Sequence, residues 1–121
     1  MKKITIVDDD SDLRDLLQVV LRFNDFKVEV FSNGEDFITN HRGDTNLYII
    51  DINLGGVTGL DICKDLKANE STKHIPIIII SAHPEIEKLA KEVCADASLS
   101  KPFSQKTLIE LISFYLQKTS S

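Results

Sequence analysis

Ile4-Thr5-Ile6-Val7-Asp8-Asp9-Asp10 is the stretch from which the fold can be read. A short apolar run bounded by polar residues is the mark of a buried strand in a parallel sheet. This run passes directly into carboxylates. A second run, Leu47-Tyr48-Ile49-Ile50, ends the same way in Asp51. In a parallel sheet the C-terminal ends of all strands lie on one edge, so these acids would meet at one rim. Like charges held that close cost several kcal/mol unless a cation neutralises them. The pattern therefore points to a divalent metal site.

Working outward, strand and helix signals alternate along the chain. Leu13, Leu16, Leu17, Val20 and Leu21 fall at helical spacing, with Asp10 or Ser11 as the cap. Lys27 to Phe31 reads as an outer strand, and Asn33-Gly34 as a turn before a short helix carrying Phe37 and Ile38. A polar loop from His41 to Asn46 leads to the Leu47 run. Gly55-Gly56-Val57-Thr58-Gly59 is a flexible loop before a helix lined by Leu60, Cys63 and Leu66. Pro76 opens Ile77 to Ile80, a β-branched run suited to a central strand buried on both faces. Ile86, Leu89, Ala90, Val93 and Cys94 predict a helix, Ala97 to Ser100 a fifth strand, and Leu108, Leu111, Ile112, Tyr115 and Leu116 a last helix. Lys118 to Ser121 reads as a polar tail. Five βα units in succession imply an α/β fold, a doubly wound parallel sheet with right-handed crossovers. The expectation is a single domain over residues 1–121 with no output domain.

Composition narrows the function. The 121 residues are 42% hydrophobic with a net charge of −5, which leaves no basic stripe to meet nucleic-acid phosphates. No apolar window approaches the ~18 residues of a membrane span, and the start is too short for a signal peptide. Cys63 and Cys94 fall on the apolar faces of predicted helices, as reduced core thiols of a cytoplasmic protein would.

The rim gathers more than acids. Strand one places Asp8 and Asp9 there, strand three Asp51, strand four Ser81, and strand five Lys101. Mg²⁺ takes hard oxygen ligands and keeps some waters, which suits Asp8, Asp9 and Asp51 with a nearby backbone carbonyl. A carboxylate beside such a metal can act as a nucleophile on phosphorus. Lys101 would neutralise phosphoryl oxygens, and the Ser81 hydroxyl would donate to one. Asp10 reads as a helix-start residue rather than a ligand. Gly59 reads as a turn residue, and His41 and His74 as surface residues.

Four pieces together resemble a response regulator receiver domain of the CheY-like superfamily: Ile-Val-Asp8-Asp9-Asp10 with Arg14, Ile-Ile-Asp51-Ile-Asn53-Leu with Gly59, Ile80-Ser81-Ala82, and Lys101-Pro102-Phe103. The resemblance implies the flavodoxin-like strand order 2-1-3-4-5 with five helices. It implies that Asp51 accepts phosphate from a histidine kinase or a His-phosphotransfer protein. Asp8, Asp9, Asp51 and the backbone carbonyl of Asn53 would bind Mg²⁺ or Mn²⁺. Ser81 would be the switch hydroxyl, Lys101 the phosphoryl contact, and Lys101-Pro102 a cis bond. Such a domain is a module of a two-component phosphorelay, not an enzyme beyond its own phosphoryl transfer and autodephosphorylation. Its output would go to a downstream protein or a separate output domain, and phosphorylation could drive dimerisation.

The chain departs from the family in four places. Ser98 stands where the aromatic switch residue is usual, three before the lysine. Gly55 stands where a proline is usual, and Cys94 where a glycine is frequent. The span from Ser81 to Lys101 is about two residues short of the usual length. His83, two residues past Ser81, is a candidate modulator of aspartyl-phosphate lifetime. Two competing functions remain. One is a constitutive docking module on a receiver fold, favoured by Ser98 and the short span. The other is a Mg²⁺-dependent phosphatase of the haloacid-dehalogenase type, disfavoured because Asn53 occupies the position of its acid/base carboxylate. Flavodoxin-like cofactor binding is strongly disfavoured by the acids after strand one, which would repel phosphate.

Overall fold

The computed structural model describes residues 1–119. Strands β1 (Lys3–Val7), β2 (Lys27–Phe31), β3 (Leu47–Asp51), β4 (Ile77–Ser81) and β5 (Ala97–Ser100) alternate with helices α1 (Ser11–Phe23), α2 (Gly34–Asn40), α3 (Gly59–Ala68), α4 (Ile86–Glu92) and α5 (Gln105–Thr119). All pairings are parallel, in the order β2-β1-β3-β4-β5. Ser120 and Ser121 lie outside the described residues. The polar tail expected from Lys118 is therefore shorter, since α5 runs on to Thr119.

The strands are apolar because both faces are covered. Every residue of β3 and β4 is buried. Ile4, Ile6, Leu47, Ile49, Ile78 and Ile80 pack towards α1 and α5, against Leu17, Leu21, Leu108 and Ile112. The alternate residues Val7, Tyr48, Ile50, Ile77 and Ile79 pack towards α2, α3 and α4, against Phe37, Ile62, Cys63, Leu66 and Ala90. Each fully buried aliphatic chain contributes ~1.5–3 kcal/mol. Two such cores fix the sheet firmly enough to hold like charges at its rim.

Helices α1 and α3 start where short polar side chains cap them. Asp10 Oδ1 accepts from the backbone N–H of Asp12 at 3.0 Å and of Leu13 at 3.2 Å, so Asp10, not Ser11, is the cap of α1. Thr58 caps α3 through the Asp61 N–H at 3.1 Å.

Three expectations need correction. Cys94 is not on an apolar helix face. Helix α4 ends at Glu92, and Cys94 is exposed with φ +61. That left-handed conformation is the one a glycine after a helix adopts freely, so the backbone here suits glycine and Cys94 adopts it at a cost. Cys63 is buried and free, as expected. His41 is not a surface residue: its side chain is only 4% exposed and stacks on Phe37. Gly59 is the first residue of α3 rather than a turn residue, and its Cα presses against the Asp51 carbonyl.

Candidate functional site

The parallel register brings the predicted residues to one rim. Val7 stands level with Phe31 and Ile50, Asp51 with Ile80, and Ser81 with Ser100. Asp8, Asp51, Ser81 and Lys101 therefore leave the sheet at neighbouring strand ends.

Asp8 is fully buried. Its Oδ1 accepts from the Asp10 N–H at 2.9 Å, its Oδ2 lies 3.2 Å from Lys101 Nζ, and its carbonyl accepts from Arg14 Nη1 at 2.8 Å. Asp51 is 4% exposed. Its Oδ2 lies 3.2 Å from the same Lys101 ammonium, and its Oδ1 accepts from the Asn53 N–H at 3.3 Å. Asp9 is exposed, yet carboxylate oxygens of Asp8, Asp9 and Asp51 all lie within 4.8 Å of one another. Burial, countered in part by the Asp10 N–H, holds the Asp8 carboxyl above its ordinary range, with Asp51 adding to the rise. Lys101 loses hydration there, but Asp8 and Asp51 more than compensate, so its ammonium is held above the ordinary lysine value.

This donor set suits a hard divalent cation. Lys101 pairs with two of the three carboxylates, Asp8 and Asp51, and the oxygen cluster keeps a negative surplus. A metal would bind through Asp8, Asp9 and Asp51, with the Asn53 carbonyl at the edge of the same loop.

Ser81 is buried, and its Oγ accepts from the His83 N–H at 3.0 Å. The Ser81 carbonyl accepts from Lys101 N–H at 2.9 Å, which ties the β4 and β5 ends together. His83 is exposed, and its Nδ1 accepts from the Glu85 N–H at 3.0 Å. The Lys101–Pro102 bond is cis. Ser98 lies mid-strand, level with Ile79, away from the carboxylates. Gly55 has φ +76, which a proline, fixed near −65°, could not adopt.

Two features of the rim were not found from sequence. Gly59 N–H donates to the Ile52 carbonyl at 3.0 Å, and a Cβ on Gly59 would lie 1.9 Å from the Asp51 carbonyl oxygen. Only the spacing from Asp51 to Gly59 hinted at this. An apolar hollow of about 400 Å³ also opens beside Lys101, lined by Leu13, Leu16, Leu17, Phe103 and Leu108. Leu16, assigned to the core face by periodicity, is 46% exposed there.

A doubly wound 2-1-3-4-5 sheet with three acids and a lysine at its C-terminal rim defines a class of signalling module. Residues 4–113 match the response regulator receiver domain family, and the chain belongs to it. It is thus a phosphorelay receiver of two-component signalling rather than a classical enzyme. It is 32% identical over 121 residues to the sensory transduction protein RegX3 of Mycolicibacterium smegmatis, covering 98% of this chain and 52% of that protein. It is 31% identical over 120 residues to the DNA-binding response regulator MtrA of Mycolicibacterium paratuberculosis, covering 97% and 52%. The chain spans about half the length of these curated relatives. The response regulator TrrA of Thermotoga maritima, solved in complex with Mg²⁺ and BeF, superposes with a TM-score of 0.85 at 27% identity, covering 95% of this chain and 99% of that one. No described helix is long and apolar enough to cross a membrane.

Proposed function

We propose that Asp51 is the phosphoacceptor of this receiver. The observation that carries the reading is the Lys101 ammonium, set 3.2 Å from both Asp8 and Asp51 on a buried rim. An Asp51 carboxylate oxygen attacks the phosphorus of a phosphohistidine on a histidine kinase or His-phosphotransfer protein. The P–O bond to Asp51 forms as the P–N bond breaks, and the imidazole leaves with the electron pair. Lys101 then meets a phosphoryl oxygen instead of bridging two carboxylates. Ser81 turns its hydroxyl from acceptor of the His83 N–H to donor towards the phosphoryl group. Mg²⁺ or Mn²⁺ held by Asp8, Asp9, Asp51 and the Asn53 carbonyl would supply charge neutralisation for the phosphoryl oxygens. Autodephosphorylation by water returns the resting state, with His83 beside its path.

The hollow between α1 and α5 would offer the donor protein an apolar seat beside Lys101. Output passes to a downstream protein or an attached domain, with a phosphorylation-dependent dimer as one form of it. Without an aromatic ring at Ser98, the switch works through Ser81 and the short α4, biasing a two-state surface. The reading takes residues 1–121 as one cytoplasmic receiver unit. Its test is intact mass after incubation with Mg²⁺ and acetyl phosphate or a phosphohistidine donor. A phosphoryl adduct is expected in the wild type and lost in Asp51→Asn. Absence of an adduct with every donor would instead favour a docking module that signals without phosphorylation.

A further inference from the structure

We propose that Glu29, His41 and Asp44 form a second metal site, for a transition-metal ion of the Zn²⁺ class, beneath α2 on one face of the sheet, over the middle of β2 and the start of β3. It is independent of the phosphoacceptor reading.

The register sets Glu29, Thr5 and Tyr48 side by side across β2, β1 and β3, so their side chains leave one face together. His41 follows the last turn of α2 and folds beneath it. Its ring stacks on Phe37 with centroids 4.7 Å apart. Its Nδ1 lies 2.9 Å from Glu29 Oε1, and its Nε2 lies 2.6 Å from the Tyr48 hydroxyl. Donor atoms of Glu29, His41 and Asp44 all fall within 4.8 Å of one another. A small rotation of the exposed Asp44 would close them around one ion, leaving a fourth position for water.

Two of the three ligands are already held by a second partner, as metal ligands commonly are. Thr5 Oγ1 donates to Glu29 Oε1 at 3.0 Å. Tyr48 orients the imidazole through Nε2 and leaves Nδ1 facing the carboxylates. The Tyr48 hydroxyl, 2.6 Å from Nε2, is placed to accept Nε2–H when Nδ1 carries a metal.

A cation already stands here. Lys3 Nζ lies 3.0 Å from Asp44 Oδ1 and 3.5 Å from Glu29 Oε1. Two carboxylates against one ammonium leave a net negative charge, and a divalent ion in place of the ammonium would balance both carboxylates. Lys3 is long and can swing away into the open groove lined by Met1, Lys27, Glu29, Asp44 and Asn46, which is also the entry path. An imidazole ligand selects Zn²⁺-like ions over Mg²⁺, unlike the all-oxygen rim at Asp51.

The test is calorimetric titration of Zn²⁺ into the full chain with Mg²⁺ in excess to mask that rim. One equivalent is expected. Asp44→Asn, an exposed change that spares the fold, should weaken it at least about tenfold. Lys3→Met should tighten it by about tenfold, since it removes the competing ammonium. Imidazole ¹⁵N shifts should place the metal on Nδ1 of His41. Absence of Zn²⁺ binding, affinity unchanged in Asp44→Asn, or affinity not raised in Lys3→Met would each overturn the proposal.

Discussion

Replacing Gly59 by alanine measures how tightly α3 is pressed onto the strand that carries Asp51. The new Cβ would lie 1.9 Å from the Asp51 carbonyl oxygen, 2.7 Å from the carbonyl carbon and 3.0 Å from Ile50 Cγ2. A carbon–oxygen contact relaxes only near ~3.3 Å. The two backbones must therefore part by more than an ångström, and no rotamer change can relieve main chain against main chain. The Gly59 N–H bond to Ile52 would be lost with that shift. Overpacking costs ~1–3 kcal/mol, and this case lies at the upper end because both partners are backbone. Alanine gains ~0.8–1 kcal/mol over glycine in a helix, which sets the opposing term. The net expectation is a loss of about 2 kcal/mol. At an m-value of ~2 kcal/mol/M, the urea midpoint should fall by ~1 M. Gly56→Ala is the control, since its Cβ would meet only the flexible Glu35 carboxylate. Its loss should be much smaller. A Gly59→Ala midpoint equal to or above that of the wild type would refute the reasoning.

Three further outcomes are expected. Burial pushes the Cys63 thiol up to about 12 from an ordinary 9.0, while Cys94 is exposed. A thiol reagent at pH 8 should therefore modify one equivalent quickly and the second only on unfolding; two fast equivalents would contradict the burial. Because unfolded Cys63 ionises near pH 9 and folded Cys63 near 12, stability should fall as pH climbs through that window, and a Cys63→Ser variant should show less of that slope. His83→Ala should change the rate at which the phosphorylated domain loses phosphate, followed by intact mass over time. An unchanged rate would remove His83 from the mechanism.

The strands were legible because parallel burial writes itself as unbroken apolar runs, and the run read over Ile77 to Ile80 is a strand that extends one residue further, to Ser81. The rim was legible for a related reason: a carboxylate directly after such a run has only one edge to occupy. Strand order came from resemblance, since periodicity says nothing about which strands are neighbours. His41 was misread because a histidine in a polar segment carries no sign of burial. Its pocket exists only once α2 lies over β1 to β3 and Tyr48 supplies a partner. Cys94 was misread because helical spacing continues for two residues beyond the helix, and nothing in the pattern marks the left-handed residue that ends it. Gly59 was half legible, since glycine signals a turn and a close approach alike.

Lys101 has a consequence for the order of events in the life of the protein. Asp8 and Asp51 are both buried, yet each has the same ammonium within 3.2 Å. The chain thus carries its own counter-ion to the place where it concentrates negative charge. A nascent chain can close its sheet before any metal arrives, unlike a small zinc-dependent domain that is unfolded without its ion. A metal held by Asp8, Asp9 and Asp51 would then be added to a sheet that is already closed.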